Sequence, residues 1–195
     1  MTDKGSRSIT DVGTLKALAH PLRMKLYRAL CVADMATASH LADQVDEAVS
    51  LVSYHLRKLA ERGLIEEAEP QSADGRERWW QPSSEGVSIR GTDFRDAPEK
   101  AAVHLAATRL FHDQRADLYR RYLDERATWS AEWNAAVPDS ESLLRLTAAE
   151  LAELQQELLS LVRKYDERGR SAEAAGETEG REHVALHVSG FPFRV

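Results

Sequence analysis

The segment Leu41 to Leu64, LADQVDEAVSLVSYHLRKLAERGL, constrains this chain more than any other. It reads as a short helix, a tight turn and a second amphipathic helix. In the second helix Val49, Val52, Leu56 and Leu59 recur at spacings of three and four, which marks one buried stripe. The opposite face carries Ser50, Ser53, Tyr54, Arg57 and Lys58, a run of hydroxyl donors and cations. An apolar stripe fixes such a helix to its scaffold. The hydroxyls and the guanidinium are then free to reach base edges and phosphates in a DNA major groove. His55 reads either as packing at the surface of the helix pair or as a contact to phosphate or base.

The flanks fit the same plan. Upstream, LKALAHPLRMKLYRAL (Leu15 to Leu30) is two helical segments parted at His20-Pro21. Proline suits a first helical turn and disfavours helix in the residue before it. Leu22, Leu26, Tyr27 and Leu30 then mark a buried face. Thr37 is placed to cap the first helix of the pair, with Leu41, Ala42 and Val45 packing inward. Asp46 is the candidate cap of the second helix, and Gly63 falls at its C′ position. Downstream, Leu64-Ile65 and Arg78-Trp79-Trp80 flank a polar stretch containing Asp74-Gly75, a hairpin turn signal. Arg76 and Arg78 lie just past the hairpin tip. Of Trp79 and Trp80, one ring should face the core and the other should be exposed or pack on a later helix.

The VSYHLRKL core, the His-Pro break and the hairpin together resemble winged helix-turn-helix regulators of the ArsR type, over roughly residues 12 to 88. The resemblance implies a transcriptional repressor that binds double-stranded DNA as a homodimer. Ser50, Ser53, Tyr54, His55 and Arg57 would face bases or nearby phosphates. Lys58, Arg76 and Arg78 would meet the backbone or minor groove. The turn departs from the family pattern, with Asp46, Glu47 and Ala48 where a glycine, an apolar residue and a serine are usual. Leu51, where a polar residue is commoner, is placed to read a thymine methyl or to touch a neighbouring helix.

Metal sensing is the family's other hallmark. Cys31, in LCVADM, resembles its cysteine-pair segment, but Ala33 occupies the second position and leaves too few soft ligands. His104 and His112, eight positions apart beside Asp113, do not match the spacing of the family's helix site. His183 and His187 would stand about 13 Å apart on a strand. Neither a metal nor a cofactor is expected. No phosphate loop, nucleophile elbow or zinc-protease motif is present, so no enzymatic activity is expected either.

Composition bounds the reading without deciding it. At 195 residues the chain holds one domain or two small ones, and 43% hydrophobic content fits a folded protein. The formal charge of −6 gives DNA binding no help, so the case rests on local placement of cations. A winged-helix module that binds a protein partner is therefore the alternative reading. The single cysteine suits a reducing cytoplasm, and no apolar run approaches membrane-spanning length.

From about Glu99 to Ala136 the chain lacks Pro and Gly and reads as one long helix. Ala107, Phe111, Leu118, Tyr122, Trp129 and Trp133 recur at intervals of four and seven, a stripe suited to a dimer seam or to packing on a later helix. Thr147-Ala-Ala-Glu150 is a capping box opening a helix, with Leu151, Leu154, Leu158, Leu161, Val162 and Tyr165 on one face. Residues 168–181 read as a linker. Ser142 to Leu146 and His183 to Val188 read as strands. The expected class is mainly α with small β. A flexible tail at 1–10 precedes a winged helix-turn-helix domain at 11–95. Residues 96–195 follow as a dimerisation region with a short C-terminal α/β element, where a small-molecule effector of unspecified class would bind.

Overall fold

The computed structural model describes residues 7–69, 77–84, 87–89, 94 and 97–194, and the chain divides into two compact units, Met1–Glu125 and Arg126–Val195. The first unit is a winged helix-turn-helix. Strand β1 (Arg7–Ile9) leads into α1 (Val12–Leu18) and α2 (Pro21–Ala33), then β2 (Ala36–Thr37), α3 (Ala38–Val45) and α4 (Val49–Ala60). The wing strands β3 (Ile65–Ala68) and β4 (Trp79–Pro82) follow, then β5 (Val87–Ile89) and the long α5 (Pro98–Glu125).

Local chemistry explains the boundaries. Asp11 caps α1, its carboxylate accepting from the Thr14 amide at 2.7 Å. Pro21 opens α2, as its fixed φ and missing N–H allow. Thr37 caps α3 by accepting from the His40 amide at 3.2 Å. Gly63 (φ +62°) closes α4: its amide reaches the Ala60 carbonyl at 2.8 Å and the Leu64 amide reaches Leu59 at 3.1 Å. Those paired bonds are a Schellman motif with glycine at the left-handed position.

One core holds the unit together. Leu15 and Leu18 from α1, Leu26 and Leu30 from α2, Leu41 from α3 and Val52, Leu56 and Leu59 from α4 are all fully buried. Trp80 joins them from β4, and Ala107 from α5, with Val103 and Phe111 packed against the cluster. The wing is antiparallel, with Ile65 opposite Pro82 and Ala68 opposite Trp79, and β2 pairs on the outer side of β4. The Asp74-Gly75 turn and Arg76 lie outside the described residues.

Several expectations need correction. Residues 7–9 are not tail but a strand, paired in parallel with β5 from Arg7–Val87 to Ile9–Ile89. Burial of Ile9 is the driving force, since its side chain is 1% exposed. Val49 does not belong to the buried stripe: it starts α4, projects beyond the scaffold and is 46% exposed. Asp46 does not cap α4. It closes α3 in the left-handed conformation (φ 57°, ψ 54°), which a short polar side chain tolerates.

The second unit contains a 3₁₀ turn (Arg126–Thr128), α6 (Ala131–Ala136) and α7 (Ala148–Ala174). The single helix expected from Glu99 to Ala136 thus ends at Glu125. The Asn134 side-chain amide donates to the carbonyls of Arg126, Trp129 and Ser130, each at 3.1 Å, so a side-chain network replaces the helical ladder. Ser130 then recaps the chain, accepting from the Trp133 amide at 3.2 Å. The Thr147–Glu150 capping box forms as expected, with bonds of 2.7 and 3.2 Å. Helix α7 runs on to Ala174 through much of the expected linker, because Arg, Ala and Glu there are good helix formers. No strand forms at 142–146 or 183–188, and Leu143, Leu144, Val184 and Leu186 are exposed. Alternation alone does not make a strand without a paired edge.

Candidate nucleic-acid interface

Helix α4 presents its polar face from a rigid base. Val52, Leu56 and Leu59 are completely buried on one side. Ser50, Tyr54 and Arg57 are exposed on the other, with Ser53 and Lys58 half-exposed. Exposed Val49 and Leu51 sit among them, so apolar contact area is interleaved with the donors. The N-terminus of α4 has Ala48 at the cap and no side-chain cap bond. Its first backbone N–H groups are therefore available to an anion, and the helix dipole favours one there. Behind this turn, the Lys25 ammonium donates to the Val45 carbonyl at 2.8 Å and ties α2 to the end of α3.

The cations differ in freedom. Among the described residues the Arg57 guanidinium bonds locally, donating to the Ser53 carbonyl at 3.3 Å. Lys58 is paired with Glu61 at 2.8 Å and lies over the Tyr54 ring. On the wing, Arg78 is paired with Glu67 at 3.1 Å and covers the Trp80 ring. Both pairs are exposed, and each contributes at most about 1 kcal/mol, so a phosphate can compete for either cation. Trp80 is the inward ring of its pair, and Trp79 packs edge-on to His40 of α3 at 5.5 Å.

His55 turns inward. It is 6% exposed and its ring lies 4.6 Å from that of His20, the residue before Pro21. It is thus withdrawn from the exposed set, and His20 is a partner that no local spacing reveals. Burial, followed by the charge of Arg23, holds His20 below its ordinary value of 6.5. Burial also lowers His55, with His20 and Arg23 adding to it and Glu47 opposing. Both rings therefore favour the fold when neutral. Their stabilising contribution is complete above the ordinary value and is lost as pH falls toward the lower folded values. Melting temperature is expected to drop from pH 7 to pH 5, and His55→Phe to flatten that drop. Asp11, lowered mainly by its cap bond to Thr14, loses its contribution only below its ordinary value of 3.8, outside this window. Equal slopes for variant and wild type would contradict the pairing.

The stripe assigned to a dimer seam is divided between environments. Ala107 is buried in the core of the first unit and Phe111 packs against it. Leu118 and Tyr122 are half-buried further along α5, beside exposed Tyr119 and Leu123. Trp129 and Trp133 belong to the second unit, their rings edge-to-face at 6.4 Å. Among the described residues no three His, Cys, Asp or Glu side chains gather as a metal site. Cys31 is partly buried, and that burial pushes its thiol upward, away from thiolate.

Residues 18–68 match the family described as "Helix-turn-helix domain", a span from the end of α1 to the end of β3. No curated protein matches the chain. Among solved structures, it is similar to a possible transcriptional regulator for arsenical resistance, at 26% identity over 57% of this chain and 94% of that one, with a TM-score of 0.31. A MarR-family transcription regulator aligns at 17% identity over 83% of this chain and 81% of its own, with a TM-score of 0.33. A mutant MarR from E. coli complexed with operator DNA aligns at 17% identity over 76% and 82%, with a TM-score of 0.32. The chain therefore carries a helix-turn-helix domain, completed by a β3–β4 wing. Among the described residues no helix is long and apolar enough to cross a membrane.

Proposed function

We propose that this protein is a sequence-specific, DNA-binding transcriptional repressor of the cytoplasm, acting as an ArsR-like homodimer under the control of a small-molecule effector. One observation carries the reading: α4 combines a fully buried stripe with an exposed face of Ser50, Leu51, Tyr54 and Arg57 at an uncapped helix N-terminus. Arg57 is the base reader, and Tyr54 and Ser53 hydrogen-bond to bases or phosphate. Leu51 offers apolar contact to a thymine methyl. Lys58 of α4 and Arg78 of the wing hold the backbone, and Arg76, outside the described residues, is assigned the same role.

The test is selection of bound sequences from a random duplex pool, followed by titration of the selected operator. Arg57→Ala is expected to cost about 1–3 kcal/mol and to relax preference at one or two base positions. Unchanged binding would remove Arg57 from the readers. The charge balance favours a second reading, a module that binds a protein partner, because Lys58 and Arg78 already have carboxylate partners and the net charge is −6. Salt separates the two, since counterion release makes DNA binding fall steeply with ionic strength.

A further inference from the structure

Within the first unit, α1, α2, β5 and α5 line a half-open pocket of about 340 Å³, with Leu18, Tyr27 and Thr108 among its walls. Its apolar wall is made by Met24, Val87, Ile89 and Phe111, and Arg28 and Arg115 reach it from two different helices. His104 and His112 also line it, His104 being held by stacking on Phe94 at 5.3 Å. No carboxylate among the described residues lines the cavity. Elsewhere on α5, by contrast, Arg120 is neutralised by Asp117 at 2.6 Å.

Two guanidiniums lining one partly desolvated space repel each other, and an anion between them would relieve that repulsion. Arg28 feels this strain. Burial first, then the charges of Arg115 and Arg121, lower its proton affinity below the usual guanidinium value. The planar forks of two arginines suit the paired oxygens of a carboxylate or sulfonate. The volume lies at the lower end of small-molecule sites, which combine apolar walls with a few polar anchors.

We propose that this cavity binds a small organic anion, with its charged head between Arg28 and Arg115 and its apolar body against Met24, Val87, Ile89 and Phe111. The site lies in the first unit, and its α5 wall, His104 to Arg115, falls within the 96–195 region that the sequence reserves for dimerisation and an effector.

Calorimetric titration of the full chain with 1-naphthoate tests this, with 1-naphthalenemethanol as the uncharged counterpart. Naphthoate is expected to bind at least about tenfold more tightly than the alcohol, and Arg28→Gln and Arg115→Gln each to remove most of that difference. Thr108→Phe, which fills the space, is expected to abolish binding of both compounds. Circular dichroism establishes that each variant is folded, and Arg115→Gln serves if Arg28→Gln is not. Equal affinity for acid and alcohol overturns the proposal. So does wild-type naphthoate affinity in a folded glutamine variant, or no heat at millimolar naphthoate. Heat of ligand binding is read without DNA, so failure of the operator experiments leaves this result standing.

Discussion

Leu56→Ala is expected to destabilise the first unit by about 2–5 kcal/mol, a large part of the 5–15 kcal/mol typical of a domain. Leu56 is completely buried at the point where α4 packs on both α2 and α3. Truncation removes its burial energy and leaves a void that three rigid helices cannot collapse to fill. Urea unfolding followed by tryptophan fluorescence checks it, through a lower midpoint at unchanged slope. Leu51→Ala is the matched control. Leu51 lies on the same helix but is 39% exposed, so its loss is expected to change stability by no more than about 0.5 kcal/mol. Similar costs for the two variants would mean that α4 is anchored differently from the structure described here.

Charged replacements at Leu118 and Tyr122 are expected to give monomers by sedimentation and to lower operator affinity by about 10²–10⁴-fold. The first part of the α5 stripe is already used within the unit, through buried Ala107 and partly buried Phe111. Leu118 and Tyr122 are only half-buried, with Tyr119 and Leu123 exposed beside them and the two tyrosine rings stacked at 5.9 Å. In the proposed homodimer this end of the helix meets the second copy. Two recognition helices read successive major grooves only when held about 34–36 Å apart, and a dimer supplies that spacing. The avidity disappears when the copies separate. A folded Leu118→Glu, Tyr122→Glu variant that remains dimeric would move the seam away from α5.

The helix pair and wing were legible in the sequence because their determinants are local. Thr37, Gly63 and Pro21 act within a turn or two of their own position, and Val52, Leu56 and Leu59 declare a helical period. What was not legible depended on distant partners. Arg7–Ile9 becomes a strand only because β5 lies alongside it. His55 is withdrawn from the exposed face because His20 packs on it from another helix. Val49 satisfies the period but stands one turn beyond the scaffold that would cover it. The C-terminal segments failed in the opposite direction: Val184, Leu186 and Val188 alternate, yet no edge is there to receive them among the described residues. Arg28 and Arg115 are far apart in sequence and line one pocket only once α5 has packed against α1.

In the proposed regulator the exposed face of α4 reads duplex DNA. Fluorescence anisotropy of the selected operator and of a shuffled duplex, across a salt series, tests it most directly. Binding to the operator is expected to be the tighter, with an affinity that falls steeply and log-linearly with salt for both duplexes. Arg57→Ala should remove much of the preference while leaving the salt slope nearly intact, and Arg78→Ala should lower both affinities and flatten the slope by about one unit. No preference between the duplexes, or an affinity indifferent to salt, would contradict it.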